Sequence, residues 1–558
     1  MRHTCFFFFL CCGEPHCYHV KTAHGPATTQ TEPRPNMDTS AWWRSTEVLY
    51  PPRATSAVAA ADEATLLPHR STAMEMEAGG RGPGSGRKKR KRAAAGGRAA
   101  GNQGPQPGAG EGEGEGAAED RISQVPDAVL GEIVSLLPTK DGARTQVLAS
   151  RWRHLWRSAP LNLDCGGLLP IPTHHRDLDR LVSRILAAHT GPGRRLCVPW
   201  RNGRKAAKLE AWLRSPALDN LEELEFNNQS TGFLSRLPAT TSRFAATLRL
   251  VKLELCHLPD DAVRSLHFPQ LKRLALVKVV ISEGALGSLI LACPAMECVL
   301  LWYISGVRRA RISSPRIRSI GVVALVGSNS MGMPNLDELV IEKAPSLERL
   351  LHLNLRDDLR VSVIDAPKLE TFCIVHNDRC SFDRIIDHVG ADSPTTMART
   401  VKILAFRVRF FSLDMIIDFL RLFPCLEKLY MQNECNALFR SMSRQKGPKN
   451  CWRRKHRDLD ITCLDVHLKT IVLESYRGGL SEVNFATFFV LNARALESMT
   501  FQVKTTDGEF IARQMRLLQV EKRASRGAEF HFTDDRCLRG FSDICHVRDL
   551  DLTDPFVC

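Results

Sequence analysis

Cysteine and histidine come closest to a metal-holding pattern near the start of the chain, where Cys11, Cys12 and Cys17 lie beside His16 and His19. The spacing fits no tetrahedral zinc motif, and no C-x-x-C occurs among the 18 cysteines, so the cluster reads as an incidental Cys-rich tail. Gly80 to Arg87 approaches the glycine spacing of a phosphate-binding loop, but the Lys-Ser/Thr ending and a preceding strand are both missing. Neither H-E-x-x-H nor G-x-S-x-G is present. No catalytic residue, metal or cofactor is expected, and the chain does not read as an enzyme.

Charge offers a second kind of chemistry. The net charge of +15 over 558 residues is unevenly placed, with one concentration at Arg87-Lys88-Lys89-Arg90-Lys91-Arg92. Clustered cations in a flexible tail reach acidic grooves, so the run is either a nuclear import signal or a solvated tail. A second cluster, Lys446 to Arg457, sets Arg453, Arg454 and Lys455 beside Trp452. Its sparse aromatic interleaving fits an exposed loop better than a nucleic-acid surface, and nucleic acid is not an expected partner. CFFFFLCC near the start is too short to span a bilayer, and no later stretch reaches membrane length without charges. Dispersed single thiols suit a reducing compartment, so the sequon at Asn228-Gln229-Ser230 is expected to go unused. The chain reads as soluble and intracellular, in the nucleus, the cytoplasm or both.

Residues 1–119 are rich in Gly, Pro, Ala and charge without periodicity, which predicts a disordered tail. Met74 or Met76 could each serve as an alternative start. Beyond Pro160 a short strand-like run with alternating Leu or Ile recurs. It appears as LDNLEELEF at Leu218, LRLVKLELC at Leu248, FPQLKRLALVKV at Phe268 and CPAMECVLLWYI at Cys293. SPRIRSIGVV at Ser314, MPNLDELVIE at Met333, APKLETFCIV at Ala366, FPCLEKLYMQ at Phe423, HLKTIVLESY at His467 and ALESMTFQV at Ala495 continue it. Most neighbours are about 20 to 30 residues apart, the range of leucine-rich repeats. No single unit can bury its apolar residues, so neighbours must share a core. Leu271 and Leu369 should then be inward-facing strand residues, with Glu222, Lys272, Glu338 and Glu370 on solvent-facing turns and strand faces. Cys256 and Cys293 should be packed as small hydrophobes.

Between tail and repeats stands SQVPDAVLGEIVSLLPTKDGARTQVLASRWRHLW, beginning at Ser123. Pro126 can open a helix and Asp127 complements its dipole. Leu130, Ile133, Val134 and Leu137 follow helical spacing, Pro138 ends that helix, and Thr139 and Thr145 are expected caps for a short and a longer one. In the longer helix Val147, Leu148, Trp152, Leu155 and Trp156 form a second stripe, with Arg151, Arg153 and Arg157 on the wet side. Pro160 closes the unit. The stripes either pack against the repeats or await a partner.

The block from Asp120 to Pro160 closely resembles the plant F-box, matching it at Ile122-Ser123, Pro126-Asp127, Leu137 to Asp141 and Arg151 to Trp156. It departs at Val125, where Leu is usual, and at Ala149, where Ser is common. Cys463 to Val503 resembles the FBD domain that follows leucine-rich repeats in many plant F-box proteins. The matching features are His467-Leu468-Lys469, Tyr476-Arg477-Gly478, Phe485 through Asn492, and Leu496-Glu497. EKRASRGAEFHF at Glu521 looks like the tail common in grass members.

The resemblance implies an α/β chain in which a small three-helix F-box precedes a leucine-rich-repeat solenoid with parallel strands on its concave side. The expected divisions are 1–119 tail, 120–160 F-box, 161–460 degenerate repeats and 461–540 FBD domain. It further implies a substrate receptor of an SCF-type cullin-RING ubiquitin ligase, with a Skp-type adaptor, a cullin scaffold and an unknown target protein as partners. Such a receptor does no bond chemistry and acts by tethering its target. By the same resemblance Pro126, Leu130, Ile133, Leu137, Val147, Leu148, Trp152, Leu155 and Trp156 form the adaptor-binding motif, each facing either the adaptor or the small core. The alternative is a nuclear nucleic-acid- or protein-binding repeat scaffold not tied to ubiquitination.

If Arg87 to Arg92 is an import signal, a fluorescent fusion should concentrate in the nucleus, and alanine at Lys88 to Arg92 should spread it into the cytoplasm. Microscopy showing the same distribution for both would return the run to a solvated tail.

Overall fold

In Leu271-Lys272-Arg273-Leu274-Ala275-Leu276 the leucines need cover that one strand cannot give, and the chain supplies it by stacking. The computed structural model describes residues 122, 124–168, 175–200, 206–228, 234–324, 332–353, 359–375, 399–408, 410–433, 450, 461–535, 539 and 543–557. The early Cys/His cluster, both basic runs and the predicted disordered tail lie outside them, Asn450 excepted. Among the described residues, fourteen parallel strands, from Leu161–Asp164 to Glu529–Thr533, form one sheet in nearly sequential order. Six further strands leave that order and form two three-stranded parallel sheets. The larger of the two joins Arg309–Ser313, Glu338–Lys343 and Arg360–Val363.

The register aligns like with like. Val251, Leu274, Val299 and Ile320 lie in one row across adjacent strands, and Leu253, Leu276, Leu301 and Val322 in another. All eight are buried in the main core, which also takes Leu286 and Leu289 from helix Glu283–Leu291 and Ile416 and Leu420 from helix Leu413–Leu422. Leu271 and Leu369 are fully buried, as the pattern requires, but each sits two residues before its strand, in the turn that feeds it. MPNLDELVIE departs further: its strand, Glu338–Lys343, belongs to a small sheet, and the main-sheet strand of that turn is Arg349–His352. A strand holding Arg349 and His352 has too little apolar alternation to be read from sequence.

The residue before a strand is often charged and pairs with the next turn. Lys272 meets Glu297 at 2.8 Å, Arg318 meets Glu348 at 2.8 Å, Glu370 meets Lys402 at 2.9 Å and Lys469 meets Glu497 at 3.1 Å. Glu338 is half-buried against Arg309, and Glu222 is half-buried as well. Exposed pairs of this kind each contribute at most about 1 kcal/mol, so they favour one register more than they hold the stack. Burial seals Cys256 and Cys293 and pushes both thiols up to about 12, which leaves them inert at neutral pH.

The sheet's second face is also covered. Residues 543–557 return from the far end of the sheet and cross it, with a 3-10 turn at Val547–Asp551. Ile544, Val547, Leu550 and Phe556 form a second apolar cluster with Leu250, Ala275, Leu300, Leu351 and Tyr430. Cover on both faces buries Leu250–Glu254 at every position, Lys252 and Glu254 included.

Changing Leu271 or Leu369 to Asp should place an unpaired carboxylate in the main core and cost on the order of 2 to 7 kcal/mol. Damage should begin in adjacent turns. Thermal melting and limited proteolysis read both effects, and wild-type behaviour of both variants would contradict the assigned register.

Candidate functional site

The helical block ahead of the sheet is built from short elements. Helix α1 spans Asp127–Leu136, α2 Thr139–Arg144 and α3 Trp152–Ser158. Pro126 and Pro138 occupy the N-cap positions of α1 and α2, which follows from proline's fixed φ and missing amide proton. Thr139 is therefore no cap. Its hydroxyl donates to the Asn162 carbonyl at 2.9 Å and accepts from the Asp164 amide at 2.8 Å, tying the block to the first strand. Thr145 caps nothing either, and its hydroxyl donates to the Gly142 carbonyl. The predicted longer helix is divided: a 3-10 turn covers Thr145–Val147, and α3 begins only at Trp152. Arg151 is not simply on the wet side, since its guanidinium reaches Asp127 at 2.6 Å and the Val125 carbonyl.

The apolar residues separate into two groups. Leu130, Val134 and Leu155 are buried, at 3%, 1% and 4% exposure. Ile133, Leu136, Val147 and Leu148 are 50%, 77%, 84% and 65% exposed, and Val129 and Leu137 are also open. Pro126 is exposed, whereas Trp152 and Trp156 are half-buried. Trp156 packs on the main core, its ring edge-on to His189 at 5.5 Å. The nine residues singled out from sequence thus do not share one face. Val129, Ile133 and Leu136 instead share a helical face that packing leaves open. Helical spacing could not separate them from Leu130 and Val134, because α1 is apolar around much of its circumference. Arg194 fixes that helix from the sheet side, reaching the Glu132 carboxylate at 2.9 Å and the Ser135 hydroxyl at 3.1 Å.

The motif residues between Cys463 and Val503 are structural. Leu468, Phe485, Phe488 and Phe489 are fully buried, and Leu496 nearly so. The Tyr476 hydroxyl donates to Gln514 Oε1 at 2.9 Å, while the Arg477 amide donates to Glu482 at 2.9 Å. Gly478 has φ +73°, and a Cβ there would lie 2.3 Å from Gln514 Nε2, so the turn admits only glycine.

Sequence reading missed the covered sheet face. Asp551 pairs with Arg273 and lies 2.7 Å from Cys298 Sγ, and Asp554 accepts from Lys428 and from the Tyr430 hydroxyl, each at 2.9 Å. Arg548 pairs with Glu223, and His546 lies 3.5 Å from Glu225. Burial works to raise the Glu225 carboxyl, yet His546, Arg195 and Lys252 together hold it well below the usual carboxylate range. The available signal was Ile544, Val547 and Leu550 at three-residue spacing, which stacks side chains along a 3-10 turn. Among the described residues no helix is long and apolar enough to cross a membrane.

A parallel strand stack with an apolar helical edge is equipment for binding. Residues 209–431 match a family model described as FBD-associated F-box protein At5g56370, LRR repeats, and residues 460–501 match the FBD model. A putative FBD-associated F-box protein of Arabidopsis thaliana, At5g56440, is 29% identical over 240 residues, 42% of this chain and 54% of its own length. From the same plant, the putative F-box/FBD/LRR-repeat protein At5g56810 is 25% identical over 69% of this chain and 90% of its own. The probable FBD-associated F-box protein At1g32375 is 23% identical over 70% and 94%. The first match spans about half of its relative and the other two nearly all of theirs. The chain's resemblance to plant F-box proteins with leucine-rich repeats and an FBD domain is shown by these matches.

Leu130→Ala and Leu155→Ala should each cost about 2 to 5 kcal/mol by opening the small core, whereas Ile133→Ala and Val147→Ala should cost under about 1 kcal/mol. Denaturant unfolding of the full chain, with hydrogen exchange to locate the loss, checks the ordering.

Proposed function

We propose that the chain is a substrate receptor of an SCF-type cullin-RING ubiquitin ligase, with residues 120–160 acting as the F-box. The observation that carries this reading is that Val129, Ile133 and Leu136 on α1, and Val147 and Leu148 after α2, are open on a block otherwise packed against the sheet. Soluble proteins seldom leave so many large apolar side chains together without a partner to cover them. A helical groove on a Skp-type adaptor would bury them, and Leu130, Val134 and Leu155 would hold the block in shape beneath. Leu137 and Trp152 would stand at the border of that interface.

In this reading the repeats hold the target protein and the cullin scaffold brings the conjugating machinery to it. The receptor contributes proximity, converting a bimolecular encounter into a tethered one, and performs no bond chemistry. The nucleus and the cytoplasm are both compatible with that role.

Because interfaces concentrate energy in a few buried anchors, Ile133→Ala with Leu148→Ala should remove on the order of 2 to 4 kcal/mol of adaptor binding, a fall of roughly thirty- to a thousandfold. Stability should change little, since neither side chain belongs to the core. Copurification of adaptor and cullin with wild type, and their loss with the variant, is the expected result. Recovery of neither partner with wild type would leave a stand-alone binding protein.

A further inference from the structure

The segment over the second sheet face is seated like a ligand. Among the described residues it joins none of the sheet's strands, and its backbone meets the sheet where Arg349 Nε donates to the Leu550 carbonyl at 3.0 Å. Side chains supply the rest. Leu550 lies over Gly321, where a Cβ would come within 3.0 Å of it, and it shares its apolar cluster with Leu300 on the next strand and Ala275 on the one after. Ion pairs recur along the path, with Glu223 taking Arg548, Arg273 taking Asp551 and Lys428 taking Asp554.

Two observations separate this segment from the fold proper. Ile544, Val547, Leu550 and Phe556 belong to the second apolar cluster, whereas the main core closes without them. The segment is also incompletely buried at its far end, where a crevice with room for about one water molecule lies beside Phe556, lined also by Tyr430, Gln432, Glu474 and Arg539. Leu552 and Val557 remain exposed.

We propose that residues 543–557 are a resident pseudo-ligand, filling in cis a groove that receives a peptide from a partner protein. The partner peptide has the chemistry of the segment it replaces: apolar residues at three-residue spacing around a short turn, a cation toward Glu223, and carboxylates toward Arg273 and Lys428. Release of the segment uncovers the groove, so the chain's own C-terminal end sets the threshold for binding. This deepens the receptor reading, and it rests on that reading for the partner being a target protein.

The test uses the full chain and a fluorescein-labelled synthetic peptide with the sequence of residues 543–557, read by anisotropy. A tethered segment competes at roughly millimolar effective concentration, so wild type should bind the probe weakly. Leu550→Asp with Phe556→Asp, which detaches the resident copy, should bind it at least tenfold more tightly. Adding Arg273→Glu should weaken that binding, and a probe carrying Asp551→Arg should recover it. Equal or absent binding by wild type and the detached variant would overturn the proposal. Hydrogen exchange on the unaltered chain gives an answer even where the variant does not fold. Amides of Val547–Asp551 should exchange through a local opening while those of Arg273–Val277 stay protected. Exchange of both only in global unfolding would make the segment plain core and end the idea. Neither measurement involves the adaptor, so failure of the ligase reading and failure of this one are distinguishable.

Discussion

A strand such as Arg273–Val277 is stable only between two others. Leu274 and Leu276 are covered by Val251, Leu253, Val299 and Leu301 in the same rows, and by helices packed beneath them. Parallel pairing needs a crossover between successive strands, and crossovers such as Glu283–Leu291 and Leu413–Leu422 return apolar residues to the same core. Stability is therefore distributed, and no turn can be removed without uncovering the next. The charged residue ahead of each strand adds little energy, but mismatched signs would disfavour a slipped register.

That constraint also explains the block at the stack's beginning. The first strand, Leu161–Asp164, has a neighbour on one side only. Thr139 and Asn162 join the helical block to it, and Trp156 and His189 seal the corner. Packing of this kind uses one side of α1 and α3 and leaves the other side open. The block that covers the end of the stack thus leaves Val129, Ile133 and Leu136 open to solvent.

The second sheet face is a different matter, because among the described residues no crossover helix packs on it. Lys252, Glu254, Arg349 and Glu225 are buried there. Burying such groups is costly unless each finds a partner. The returning C-terminal segment supplies several of those partners from more than two hundred residues away, as in the contact of Arg349 with Leu550. Its contacts interleave ion pairs with buried apolar side chains, an arrangement suited to recognition as well as to cover.

Much of this was determined by sequence alone. The repeating L-x-x-L-x-L runs required neighbours to share a core, and the resemblance to leucine-rich-repeat proteins implied that their strands run parallel. The glycine of Tyr476-Arg477-Gly478 and the phenylalanines after it could be read as one packed unit. Three things belonged to the tertiary structure. Leu130 and Ile133 lie on the same helix at helical spacing, and only the neighbour that α1 meets makes one core and the other surface. Glu338–Lys343 reads as the repeat strand but lies in a small sheet, while Arg349–His352, without a legible pattern, takes the place in the main sheet, because strand membership depends on which turn supplies the adjacent ladder. The return of residues 543–557 was illegible because a contact between Arg548 and Glu223 obeys no local rule: distant charges meet only where the folded sheet places them.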